Sequence, residues 1–161
     1  MPIKNCIYFL LIFSALSSCK NKAVTFNNNL IGVQKQVLTR VQEFGKKVEQ
    51  VNMDSLQTSN LKADAEKIAL YIDTKIIEAQ NLYTPKGGEN LKNAVLKQLE
   101  FEKEIVNKIG RLMRSDISKE EKAQIEIELL SSTEKATVHE SNVHLAQEIF
   151  AKQHDFNLQK K

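Results

Sequence analysis

The chain has no tryptophan, two prolines, five glycines and two cysteines among its 161 residues, and each shortage closes off a class of protein. Two cysteines allow at most one disulfide, so this is not a disulfide-stapled scaffold, and no cysteine–histidine spacing forms a zinc site. So little proline and glycine excludes collagen-like and low-complexity architectures. Aromatic residues make up 6% and are not interleaved with basic ones, which leaves no base-stacking platform. Charge of neither sign dominates: 23 Lys and Arg face 20 Asp and Glu, a formal net charge of +3. A nucleic-acid binder concentrates basic residues on one face, and no nucleic-acid partner is expected. Long apolar runs are missing except for one, Cys6 to Ala15, which follows Lys4 without a charge.

That run is too short for a membrane-spanning helix, which needs about 20 residues, and has the length of a signal-peptide apolar region. It ends in Leu16-Ser17-Ser18-Cys19. An aliphatic residue, two small ones and a cysteine, placed behind a short basic start and an apolar run, resemble the lipobox of bacterial lipoproteins. The resemblance implies cleavage after Ser18, a diacylglyceryl thioether on the Cys19 sulfur, and often a third acyl chain, such as palmitate, on the new amino terminus. Two or three chains at about 0.8 kcal/mol per buried methylene make a stable anchor. Cleavage of the first 18 of 161 residues leaves 143, one domain's worth. Cys6 departs with the signal, so Cys19 is the sole mature cysteine, and as a thioether it is closed to redox and metal chemistry. Residues 19–23 form a short tether in which Lys20 and Lys22 can meet anionic headgroups. The first acid after Cys19 is Glu43, and Lys20 rather than an aspartate follows the cysteine; an outer-membrane location facing the periplasm is expected.

Residues 24–156 read as a helical bundle. Phe26, Leu30, Val33, Val37, Val41, Phe44, Val48 and Val51 recur at steps of 4 and 3, a heptad-like seam, with charged and amide residues assigned to the other side. Leu61, Ala65, Ile68, Ile72, Ile76, Ala79 and Tyr83 repeat the pattern, and Ala69, Leu70 and Ile77 widen the stripe toward a second neighbour. Asp54 or Ser55 can cap that helix. Thr84, which can cap, Pro85, acceptable at a first helical position, and the pair Gly87-Gly88 mark a break, before a third helix over about Glu89 to Arg114 that carries Leu91, Val95, Leu99, Phe101, Ile105, Val106, Ile109 and Leu112. Ser118 and Glu121 form a capping box and open a fourth. There the apolar line changes phase, from Ile125, Leu129 and Ala136 to Val138, Leu145, Ile149 and Phe156. The fourth helix is therefore expected to kink or split near Ser131-Ser132-Thr133, with Ser131 and Glu134 as a second capping box. Four long helices on short connections predict an all-α, antiparallel up-down four-helix bundle, with residues 157–161 as a frayed tail and the carboxyl terminus at the anchored end.

Chemistry-bearing patterns are sparse. The three histidines, His139, His144 and His154, lack the Glu-x-x-His spacing of two-metal bundles; Ala136, Ser141 and Ala151 stand three residues before them. Glu140, His144 and Glu148 share one stripe of the fourth helix and are the weak candidates for a metal, but they fall opposite the Val138-Leu145-Ile149 line and are read as a solvated face. No Gly-x-Ser-x-Gly elbow and no phosphate-cradling loop is present, so neither catalytic residues nor a cofactor are expected. Met53 and Met113 are read as a loop and a core residue. Beyond the lipobox the chain is similar to small helical-bundle lipoproteins, a likeness that carries no functional residue with it. Two functions are consistent with these features: a non-enzymatic, lipid-anchored envelope protein whose helix faces bind an envelope partner or a second copy, or a sensor holding a ligand or metal in the bundle core. A packed core with an exposed apolar patch favours the first, and a cavity of a few hundred cubic ångströms the second.

Overall fold

The structure, a computed structural model, describes the backbone of residues 4–50 and 55–158 and the side chains of residues 21–50 and 60–158. Four helices follow one another: α1 (Lys4–Gln50), α2 (Ser55–Asn81), α3 (Glu89–Leu112) and α4 (Lys119–Gln153). The segment read as a signal is thus helical from Lys4 and continuous with the first bundle helix. Among the described residues no helix is long and apolar enough to cross a membrane. Val51, Met53, Asp54, Lys160 and Lys161, and the side chains of Lys4, Leu16, Ser17, Ser18, Cys19, Lys20 and Ser55, lie outside what is described.

Cross-helix pairs show the alternating direction of the helices. Lys47 meets Asp64 at 3.0 Å and Gln36 meets the Tyr71 hydroxyl at 3.4 Å, with Arg40 stacked 3.8 Å over the same ring, so α1 and α2 run antiparallel. Lys103 meets Asp73 at 2.6 Å between α3 and α2; between α3 and α4, Lys108 meets Glu128 at 3.2 Å and Phe101 stacks on His139 at 4.6 Å. Helix α3 is central: it packs along α2 and α4 and also against α1. Helix α4 lies along α3 and meets α1 through Phe26 and Phe150, whose ring centroids are 5.5 Å apart, and through Asn27 and Gln147 at 3.1 Å.

The predicted seams of the first three helices supply the core. Phe26, Leu30, Val33, Val37, Phe44, Leu61, Ala65, Ile72, Ala79, Leu91, Val95, Leu99 and Val106 are buried, and Phe44 and Phe150 are the largest side chains wholly removed from water. Each buried Val, Leu, Ile or Phe among them stabilises the fold by roughly 2 kcal/mol. Leu70 and Ile77 do not widen the α2 stripe inward: they are 68% and 56% exposed, and Tyr83 is 72% exposed.

Helix α4 requires the largest correction. It is one unbroken helix of 35 residues, not split at Ser131-Ser132-Thr133, and Ser131 caps nothing. The hydroxyls of Ser131 and Ser132 both donate to the Glu128 carbonyl at 2.8 Å, bonding back onto the preceding turn as serine does inside a helix. The buried seam keeps its phase, Ile125, Leu129, Ser132, Ala136, His139, Val143 and Phe150 being buried or half-buried; serine, alanine and histidine stand at core-facing positions where apolar residues were sought. Val138, Leu145 and Ile149, assigned to the core from their spacing, are 57%, 57% and 48% exposed. Phe156 does reach the core, though not along the helix. Asp155 takes the left-handed conformation (φ 51°) and the Phe156 N–H donates to the Ala151 carbonyl at 3.1 Å, a Schellman-type turn that brings the Phe156 ring to 6.0 Å from Phe150.

The caps differ in detail from the expectation. Ser118 accepts from the Glu121 N–H at 3.1 Å, but the Glu121 carboxylate turns to Arg111 at 2.6 Å instead of reaching back. Gly88, not Thr84, precedes α3 at its cap, and the Thr84 hydroxyl donates to the Leu82 carbonyl at 3.3 Å. The Lys92 ammonium satisfies the end of α2, donating to the carbonyls of Gln80 and Leu82 at 2.5 and 2.9 Å. Gly87 has φ +81°, the left-handed region that glycine adopts without strain, while a Cβ there would meet only the movable end of the Gln153 side chain, 2.8 Å away.

Candidate functional site

Three features of the structure bear on function, and the first lies at the end of the bundle where α1 enters. An open groove of about 560 Å³ is lined there by Asn21, Lys22, Thr25, Phe26, Asn29, Leu82 and Tyr83, beginning two residues after Cys19. The α2–α3 connection and the end of α4 close around the same end, held by His154 Nε2 at 3.0 Å from the Lys86 carbonyl oxygen. The up-down topology thus brings the carboxyl-terminal end of α4 beside the segment that follows Cys19. The groove presents an exposed aromatic, Tyr83, and an exposed cation, Lys22.

The second feature is a polar seam inside the bundle between α1, α3 and α4. Asn27, Gln34, Gln98 and Glu102 are buried, although amides of the first helix were assigned to its outer side. The Gln34 amide donates to Gln98 at 2.6 Å, and the Gln147 amide donates to Asn27 at 3.1 Å. Among the described residues no fully buried side-chain nitrogen or oxygen lacks a partner, so these amides are matched to one another. Glu102 is the exception in charge. It is 7% exposed, and burial, reinforced by the Glu140 carboxylate across on α4, pushes its pKa up to about 7. Asn27 and Gln34 stand seven residues apart and Gln98 and Glu102 four apart, which are seam spacings; the signal was present but polar residues were not counted as core.

The third feature is the outer face of α4. Ile127, Leu130, Val138, Leu145 and Ile149 are 48% to 76% exposed. At 100° per residue they fall within an arc of about 100°, roughly 150° away from the line of Ile125, Ser132, Val143 and Phe150. The helix therefore has two apolar faces, one against α3 and one against solvent. What was taken for a change of phase is the presence of both.

The metal candidates Glu140, His144 and Glu148 are all exposed, as the sequence suggested. His144 Nδ1 lies 3.4 Å from Glu148, while Glu140 faces toward Glu102 closely enough to affect its ionisation. Among the described residues no group of three His, Cys, Asp or Glu side chains is placed to hold a metal ion. Met113 caps α3 and packs half-buried against the core.

Comparison with protein-family models, with curated proteins and with solved structures gives no match for this chain.

Proposed function

We propose that the chain is a non-enzymatic envelope lipoprotein, held at a membrane by acyl chains on Cys19 and acting as a binding or scaffold module through the outer face of α4. The observation that carries the binding role is the solvent-facing stripe of Ile127, Leu130, Val138, Leu145 and Ile149. Isolated exposed apolar residues are ordinary, but five that share one arc of a single helix suit an interaction surface. The interior supports the same choice over a core-bound ligand, because its buried amides pair with each other rather than converging on a space between the helices. The anchor is supported by Leu16-Ser17-Ser18-Cys19 and the apolar run before it. The outer membrane, facing the periplasm, is the location this reading favours.

Growth of producing cells with an alkynyl palmitate tests the anchor: the wild type takes up label, and Cys19→Ser does not. Equal labelling of both overturns it. Gentle crosslinking of the native protein in membranes, followed by purification, tests the binding role. Recovery of a crosslinked polypeptide through α4 supports it, and recovery of a bound small molecule without one refutes it.

A further inference from the structure

The groove where α1 enters the bundle has a floor and a rim of different chemistry. Buried Phe26 and half-buried Leu82 form the floor, while Asn21, Lys22, Thr25, Asn29 and Tyr83 stand exposed around it. Every rim side chain can donate a hydrogen bond and none is a carboxylate. No hydrogen bond or ion pair ties these side chains to another described residue. Resting on the anchored reading proposed above, we infer that the groove receives the headgroup of an anionic phospholipid from the bilayer that holds Cys19, so that the bundle stands end-on with Lys22 and Tyr83 in the interfacial layer.

Charge on the two walls fits that occupant. From Cys19 to Gln42 along α1 there is no Asp or Glu, and there is none from Ala79 to Gly88 on the opposite wall, whereas Lys22 and Lys86 are both exposed. The carboxyl end of α2 would by itself repel an anion, but the Lys92 ammonium covers its Gln80 and Leu82 carbonyls.

Reach fits as well. Helix α1 runs without a break through Cys19, so at 1.5 Å per residue Asn21, Lys22 and Thr25 stand about 3, 4.5 and 9 Å along its axis from that residue. The headgroup layer is about 5–8 Å deep on each side of the hydrocarbon. Acyl chains on Cys19 therefore bring the near half of the groove into it. Tyr83, 72% exposed, has the apolar ring and polar tip that the membrane interface favours. An acyl chain folded back from Cys19 suits the groove less, because it would take water from the Lys22 ammonium and from two amides without replacing their hydrogen bonds. A phosphate offers acceptors to the same groups. The end-on stance also leaves the long outer face of α4 clear of lipid.

Tyrosine emission of the native lipoprotein, purified from membranes and reconstituted into vesicles, tests this site. With Tyr8 removed in the signal, the mature chain has Tyr71 and Tyr83, and Tyr71 lies roughly 18 Å further along α2. The vesicles carry a headgroup nitroxide on a minor lipid, in a background of mixed phosphatidylglycerol and phosphatidylcholine or of phosphatidylcholine alone. On the mixed vesicles about half of the emission, that of one ring in two, is expected to be quenched, and at least threefold less in Tyr83→Phe. Quenching should be roughly twofold weaker on phosphatidylcholine alone, and Lys22→Gln should lower the mixed-vesicle value to the same level. Both variants replace exposed side chains and leave the core as it is. Equal quenching of wild type and Tyr83→Phe, in protein that floats with the vesicles, overturns the end-on stance and leaves the anchor intact. Quenching of Tyr83 that is indifferent to phosphatidylglycerol or to Lys22→Gln overturns the headgroup site. A chain that floats with neither vesicle overturns the anchor and the headgroup site together.

Discussion

Replacement of Glu102 by glutamine is expected to stabilise the protein above neutral pH and to do nothing near pH 4.5. Glutamine keeps the shape of the side chain and removes only its ionisation. The carboxyl has an ordinary value of 4.5 and is pushed to about 7 in the fold, first by burial and then by Glu140. Between those values the folded chain holds a proton that the unfolded chain has released, so stability falls as pH rises through the window from 4.5 to 7 and stays low above it. At 1.36 kcal/mol per tenfold change the full effect is about 3 kcal/mol, and partial access of water to the site reduces it to about 2 kcal/mol. For a domain of this size that corresponds to roughly 6 °C in melting temperature. Circular dichroism melts of the wild type and Glu102→Gln from pH 4 to 8.5 give the comparison. The curves should meet below pH 4.5 and separate progressively to pH 7.5, with the variant more stable. Melting temperatures that differ by the same amount at every pH would refute the reasoning, because the effect would then be one of packing and not of charge. Glu140→Gln should reproduce a smaller part of the separation, since Glu140 is the lesser of the two causes.

Other substitutions test the packing. Gln34→Leu should cost about 1–3 kcal/mol in urea denaturation by leaving the Gln98 amide buried without its partner, and Gln34→Leu/Gln98→Leu should recover most of the loss; a double variant weaker than either single one would show that the pair is not what holds that layer. Phe150→Ala should lose about 3–5 kcal/mol, since its ring is 1% exposed and sits 5.5 Å from Phe26. Gly87→Ala should destabilise by at least 1 kcal/mol through its φ of +81°, where most residues are strained, whereas Gly32→Ala, with open space around it, should stabilise α1 by up to about 1 kcal/mol. Ser118→Ala should cost about 1 kcal/mol through loss of the α4 cap, measured by the same denaturation.

The bundle was largely legible in the sequence because its first three helices each carry one apolar line, and spacing alone identifies a helix with one buried face. Helix α4 was not legible in the same way. Its inward line runs through Ser132, Ala136 and His139, which a search for apolar residues passes over, while its outward line of Val138, Leu145 and Ile149 is the more hydrophobic of the two. Hydropathy cannot distinguish a face that packs within the chain from one held out to solvent. Asn27, Gln34, Gln98 and Glu102 escaped notice for the same reason: they sit at seam positions but are polar, and the partners of the three amides lie 64 and 120 residues away. Phe156 was placed on a helical line when a left-handed turn at Asp155 brings it to the core. The proposed lipobox, by contrast, is read from four residues and their flank alone.

The central claim, a lipid anchor on Cys19 that holds this bundle at a membrane, is tested most directly by the intact mass of the chain extracted from the membrane fraction. The account predicts a polypeptide that begins at Cys19, lacks residues 1–18 and carries the added mass of a diacylglyceryl group, with or without one further acyl chain. A chain of all 161 residues, or one cleaved elsewhere with an unmodified Cys19, would contradict it.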